Sequence, residues 1–353
     1  MVDPKRPADP AAPRLAIACG PNDPPAAAAA AVTKASASNL HAVGRFLPGP
    51  KRRLFEASYA GMRVIDDYID DGFLALEAAG RARHRTRAVI TVESWRRRSL
   101  AALDGGDWRS VDPEQAAADP LLQAGAEPLY DALAAAVERA PAPPAAAWTL
   151  LARSMIEDAQ ERALISWEDF LHYCEGATVA PAAIFLHVLT ARAAPTLSED
   201  ALFEAARPMA LFCYLVHILR DLRKDAARGG QLLTLPEEIL AVHGLARETT
   251  AAAIDAETPE ASALAADLAG RAGVYRAETQ RVREALSGGL GARERAVLGA
   301  LIAVYERLHD RLEGAPSRAV AGDSTLGEGV REGVFARYAL DAEEGEDAET
   351  EER

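Results

Sequence analysis

Leu54-Phe55-Glu56-Ala57-Ser58-Tyr59-Ala60-Gly61-Met62-Arg63-Val64-Ile65-Asp66-Asp67-Tyr68-Ile69-Asp70-Asp71 is the stretch on which the fold class turns. Its apolar residues recur with a helical period. Tyr59, Arg63, Asp66 and Asp70, at steps of four, three and four, share one stripe of that helix. Four carboxylates fall within six residues, and like charges one turn apart repel by roughly a few tenths of a kcal/mol per pair. The apolar flanks imply that this repulsion is partly buried, and a bound cation would relieve it. A lone DxxxD on a helix is commonly a solvated face, so the reading needs a partner.

The partner lies further along the chain, in Met209-Ala210-Leu211-Phe212-Cys213-Tyr214-Leu215-Val216-His217-Ile218-Leu219-Arg220-Asp221-Leu222-Arg223-Lys224-Asp225. Tyr214, His217, Asp221 and Asp225 form a second stripe, and Leu215, Ile218, Leu219 and Leu222 fill the adjoining faces. Carboxylates of this kind on two facing helices make an oxygen-lined cleft that suits Mg²⁺, an ion that keeps several waters and bridges to phosphates. Arg220, Arg223, Lys224 and Arg228 add the positive charge that a diphosphate leaving group needs. Bland alternatives stand beside each residue. Tyr59 and Tyr214 could be core aromatics, Arg63 an ion-pair partner of Glu56 or Asp67, and His217 a buried histidine bonded to a neighbouring helix.

Around these stretches the chain reads as all-α. Helical periods run over 51–79, 83–104, 126–139, 143–165, 167–192, 198–226, 258–286 and 291–313, a bundle of about eight helices, with Pro181 expected to break or kink the fifth. Of the 353 residues 49% are hydrophobic and only 6% aromatic, an apolar supply dominated by good helix formers. Residues 1–33, rich in Ala and Pro, and the acidic tail 319–353 read as disordered segments flanking a helical domain over 34–318. The net charge of −14 argues against nucleic-acid partners. Half of it sits after residue 339, where eight acidic residues accompany one Arg. Cys19, Cys174 and Cys213 are widely spaced and odd in number, which fits idle thiols in a reducing compartment. The N-terminus breaks too early with Pro and Asp for a secretory signal, and the apolar stretches at 177–191 and 209–219 fall short of a membrane span. The expected location is the cytoplasm, with peripheral contact at the inner face of the membrane left open.

The chain resembles the squalene/phytoene synthases. Phe46-Leu47-Pro48-Gly49-Pro50-Lys51-Arg52-Arg53 followed by Tyr59, Arg63 and Asp66 to Asp70 is similar to the family's LP…R…YxxxRxxDDxxD signature. Ile218-Leu219-Arg220-Asp221 with Asp225 resembles its NILRDxxxD, and Asp158 with Trp167 to Cys174 resembles its "D … eeLxxYC" stretch. The resemblance covers roughly Ser38 to Leu312. It implies the isoprenoid synthase fold, a single bundle of antiparallel helices around a deep apolar cavity. It implies a head-to-head prenyltransferase using Mg²⁺, with prenyl diphosphates as substrates, and leaves NADPH and oligomeric state undecided. Carried over by position, Asp66, Asp70, Asp221 and Asp225 would hold metal. Tyr59, Arg63, Tyr173 and His217 would be catalytic. Arg52, Arg63, Arg220, Lys224 and Tyr305 would bind diphosphate. Farnesyl diphosphate and a C30 product are favoured. The alternatives are geranylgeranyl diphosphate to C40 phytoene, a terpene-synthase-like enzyme that ionises one diphosphate, and a non-catalytic prenyl-lipid binder. The binder is disfavoured because an inactive fold need not keep four mutually repelling carboxylates. This chain departs from the family with His217 for its Asn, Tyr214 for its Gln, Gly229 to Pro236 for its GRxYLP, and Ala177-Thr178-Val179-Ala180-Pro181 for a Gly-bearing turn.

Overall fold

A computed structural model describes residues 15–191, 197–228, 234–327 and 329–339, which are helical and hold no strand. In chain order the α-helices are α1 (Pro25–Ala35), α2 (Asn39–Gly44), α3 (Gly49–Asp67), α4 (Ala78–Leu103), α5 (Pro120–Gln123), α6 (Glu127–Val137), α7 (Ala145–Ala159) and α8 (Trp167–Cys174). There follow α9 (Ala180–Thr190), α10 (Glu199–Ala227), α11 (Glu237–Val242), α12 (Arg247–Asp255), α13 (Pro259–Ser287), α14 (Ala292–Glu313) and α15 (Ser317–Ala321). The chain divides into two compact units: Met1–Ala37 with Arg53–Arg162, and Ser38–Arg52 with Ala163–Arg353.

In the first unit α4 packs on α6 and α7, and α1 lies on α6. Trp95 and Trp148 are fully buried with ring centroids 5.5 Å apart. The indole N–H of Trp95 donates to the Gly61 carbonyl at 2.7 Å. Gly61 is small for a reason: a Cβ there would meet Trp148 at 3.2 Å and Leu133 at 3.3 Å. These contacts seat the apolar face of α3 and leave its acidic stripe on the other side.

In the second unit α10 is the central element, packed on α9, α12, α13, α14 and α15. Leu215, Leu219 and Leu222 are fully buried along it. Ser198 caps α10 by accepting from the Ala201 amide at 3.2 Å, and Ser166 with Asp169 forms a capping box on α8. The stretches Trp167–Thr190 and Glu199–Ala227 do pass a membrane-span test by length and composition, against expectation. Yet 67% and 61% of their apolar windows are buried within the protein, as in core helices.

The expected helices are present to within about six residues. Pro181 interrupts the fifth stretch as expected: a π-helical turn over Glu175–Val179 separates α8 from α9, and Pro181 lies in the first turn of α9. Two expectations need correcting. The N-terminal stretch expected to be disordered to residue 33 contains α1, whose Ala28, Ala29, Val32 and Thr33 are buried. The C-terminal one, expected from 319, contains the end of α15, buried Ala319, Val320 and Ser324, and a helical run over 329–339 that buries Phe335. The remainder of both tails, residues 1–14 and 340–353, lies outside the described residues, as do Gly229 to Leu233.

Candidate active site

The first acidic stripe sits where α3 ends. After Asp67 the backbone passes directly into a π-helical turn, Tyr68–Phe73, which carries Asp70 and Asp71. A π-turn widens the repeat from four residues to five, and such turns gather at functional sites. Buried Tyr68, Ile69 and Phe73 anchor it. Arg63 is shared among the carboxylates: it is 2.8 Å from Asp66, pairs closely with Asp67, and lies 4.0 Å from Asp71. Burial raises the Asp67 carboxyl above its ordinary range despite Arg63, with Asp71 adding to the rise.

Asp70 is pushed up well beyond the usual carboxylate range, by desolvation and by the charges of Asp66, Asp158 and Asp71, against Arg63. Its side chain keeps solvent-accessible surface beside these neighbouring carboxylates. Asp158 comes from the last turn of α7. The turn beyond it is tied down by Arg81 and Arg85, which both pair with Glu161 while donating to the carbonyls of Leu76 and Ala159. Asp158, marked in the sequence only as part of a family-like stretch, and Asp71 thus join the cluster of Asp66 and Asp70. The run of four acids at 66–71 was the available signal for Asp71. Tyr59 is half-buried beside Phe55, with ring centroids 5.8 Å apart.

The second stripe is balanced differently. Arg220 grips Asp221 with two hydrogen bonds, Nε to Oδ1 at 2.9 Å and Nη2 to Oδ2 at 2.7 Å. His217 Nε2 lies 2.9 Å from the same Oδ2 and 2.6 Å from Arg220 Nη2. One nitrogen cannot donate to the carboxylate and accept from the guanidinium at once, so these two contacts compete. Burial would raise the Asp221 carboxyl, but the hydrogen bonds from Arg220 and His217 outweigh it and hold the group far below the usual range. Asp225, one turn on, is raised by burial and by Asp221, against Lys224, His217 and Arg228.

His217 is exposed and engaged within its own helix, so the buried-histidine alternative does not hold. Tyr214 stacks on Phe170 with centroids 6.1 Å apart and packs on the core. Tyr305 is near enough to Arg220 to act on its charge, and packs against the core cluster that contains Tyr173, itself 8% exposed. Lys224 is exposed beside Asp225, and Arg52 is exposed in the opening turns of α3. Arg223 turns away, toward Asp255 at 3.3 Å, Glu257 at 3.1 Å and the Val320 carbonyl at 3.0 Å. Among the described residues no group of three or more carboxylate, imidazole or thiol side chains is gathered closely enough to hold a metal by protein ligands alone. That suits an ion held by one or two carboxylates plus substrate phosphates and water.

Two acidic helical stripes, each with its own arginine in an all-α chain, accord with the family signatures, and the profile described as squalene/phytoene synthase matches residues 33–339. The chain belongs to the squalene/phytoene synthase family. As a member it is a prenyltransferase-type enzyme. It shares the isoprenoid synthase fold with solved structures of low sequence identity. One is a dehydrosqualene synthase in complex with ligand, at 17% identity and a TM-score of 0.66, covering 89% of this chain and 95% of that one. Another is the squalene synthase HpnC from Alicyclobacillus acidocaldarius, at 16% identity and a TM-score of 0.60, covering 86% and 95%. A search of curated proteins finds no match.

Proposed function

We propose that this family member joins two prenyl diphosphates head to head, with farnesyl diphosphate favoured, forming a cyclopropyl diphosphate and then a C30 hydrocarbon with release of inorganic diphosphate. The observation that carries the proposal is the crowd of carboxylates at Asp66, Asp70, Asp71 and Asp158, where desolvation and like charges raise Asp70 despite the nearby Arg63. A donor set made wholly of carboxylate oxygens fits Mg²⁺. Asp66 and Asp70 on one stripe, and Asp221 and Asp225 on the other, would each hold Mg²⁺ together with substrate phosphates and water, and when bound it supplies positive charge to the departing diphosphate.

The protein's own groups do the rest. Arg63, Arg220, Lys224 and Arg52 bind phosphate oxygens as the allylic C1–O bond breaks and the diphosphate leaves with its electron pair. The second substrate's double bond then attacks C1, and loss of a proton closes the cyclopropane. The second diphosphate then leaves with its electron pair. The rearranged cation is discharged by loss of a proton or, where NADPH is supplied, by its hydride. Tyr59, Tyr173 and Tyr305 orient the diphosphates and supply hydroxyls to them. Apolar helix faces keep water from quenching the cations. His217 donates from Nε2 to a phosphate oxygen, in competition with Asp221.

Incubation with farnesyl or geranylgeranyl diphosphate and Mg²⁺, with and without NADPH, followed by product mass, tests the proposal. A C30 hydrocarbon from farnesyl diphosphate supports it. A C40 product reassigns the chain length, and a C15 hydrocarbon or alcohol alone overturns the head-to-head reaction.

A further inference from the structure

Sequence places Ser324 in a disordered tail, yet it is 1% exposed and its hydroxyl donates to the backbone carbonyl of Arg220, 104 residues earlier. One turn along α10, Arg223 Nη1 donates to the Val320 carbonyl at 3.0 Å. Between these contacts Gly322 adopts a left-handed φ of 78°, and a Cβ there would come within 3.0 Å of Arg223 Cδ. Asp323 is held in turn by Arg311 at 2.6 Å and Arg318 at 3.1 Å, from α14 and α15. The segment Val320–Ser324 is therefore latched to α10 at two points and to α14 and α15 at two more.

We propose that Ser324 is a positioning residue for the second acidic stripe. It holds the main chain of Arg220, whose guanidinium grips Asp221 through two hydrogen bonds. Arg223, grouped by sequence with the diphosphate-binding cations, serves this latch instead. A displacement of the α10 turn at residues 220–223 has to break the hydroxyl bond, the Arg223–Val320 bond, or both. The inference rests on the reading of Asp221 and Asp225 as metal-holding residues. It adds that their alignment depends on a segment beyond the last long helix.

The test is Mn²⁺ binding to the intact protein, followed by the loss of the free-ion electron paramagnetic resonance signal, with melting temperature measured alongside. Ser324→Ala weakens Mn²⁺ binding by about three- to tenfold, the factor expected for one lost hydrogen bond. It raises by the same factor the Mg²⁺ concentration for half-maximal diphosphate release, and Ser324→Thr, which keeps the hydroxyl, restores both. Gly322→Ala, which strains the latch without removing the hydroxyl, weakens Mn²⁺ in the same sense. Unchanged Mn²⁺ binding in Ser324→Ala and Gly322→Ala, with binding weakened by Asp221→Asn, would overturn the positioning role and leave the metal reading intact. Unchanged binding in Asp221→Asn would overturn the metal reading itself.

Discussion

The two acidic stripes solve one electrostatic problem in opposite ways. At the end of α3 several carboxylates share Arg63, and Asp67 and Asp70 are pushed toward protonation. On α10 Asp221 takes hydrogen bonds from both Arg220 and His217 and is held firmly ionised, while Asp225 is raised. The first stripe crowds carboxylates, and desolvation and like charges raise Asp70, so a cation gains most by entering there. The second is already charge-balanced, and a cation entering there must share Asp221 with two groups of its own helix. Spacing alone makes the stripes look alike; their partners make them different.

Removing each stripe's arginine strains that comparison most. Arg63→Ala removes the cation shared by Asp66, Asp67 and Asp71 and lowers kcat about a thousandfold, whereas Arg220→Ala leaves His217 beside Asp221 and costs about a hundredfold. Steady-state kinetics would decide; equal losses would mean that the local balance does not matter. Stability is next. Phe335→Ala empties a buried site in the second unit and costs about 3 kcal/mol. Deleting residues 1–35 strips α1 from α6 in the first unit and lowers the melting temperature by several degrees. An unchanged melting temperature in either would show that the segment does not pack.

His217 sharpens the comparison further. His217→Leu lowers kcat about tenfold because it supplies no polar group to Asp221 or phosphate, while His217→Asn stays near wild type. A Leu variant at wild-type rate would reduce this position to packing. The smallest effects are opposite in sign. Folding raises the Asp70 carboxyl, so its charge costs stability and Asp70→Asn is slightly stabilising. Folding lowers the Asp221 carboxyl, so its charge contributes and Asp221→Asn is slightly destabilising. Both shifts stay within about 1 kcal/mol because solvent screens these groups. Thermal melts that move the two variants in the same direction would contradict the contrast.

Both stripes and the long helices were legible because period and spacing are local properties. α3, α10, α13 and α14 bury regular apolar faces that the chain announces by itself. α1 was not legible: its run of alanines has no periodic contrast, and only packing on α6 shows which face is buried. The π-helical turns after Asp67 and Cys174 were also hidden, since nothing in the residue pattern marks a widened repeat. Nor could spacing show that Arg223 faces Asp255 and Val320. Asp158 lies 88 residues from Asp70, and chain folding alone makes them neighbours.

The central claim is that both stripes serve one metal-assisted departure of diphosphate. Its most direct test is release of inorganic diphosphate from farnesyl diphosphate by the wild type, Asp66→Asn and Asp221→Asn, with and without Mg²⁺. The account predicts Mg²⁺-dependent release by the wild type and a loss of about a hundredfold or more in each variant. Release without a divalent cation, or near-normal release by either variant, would contradict it.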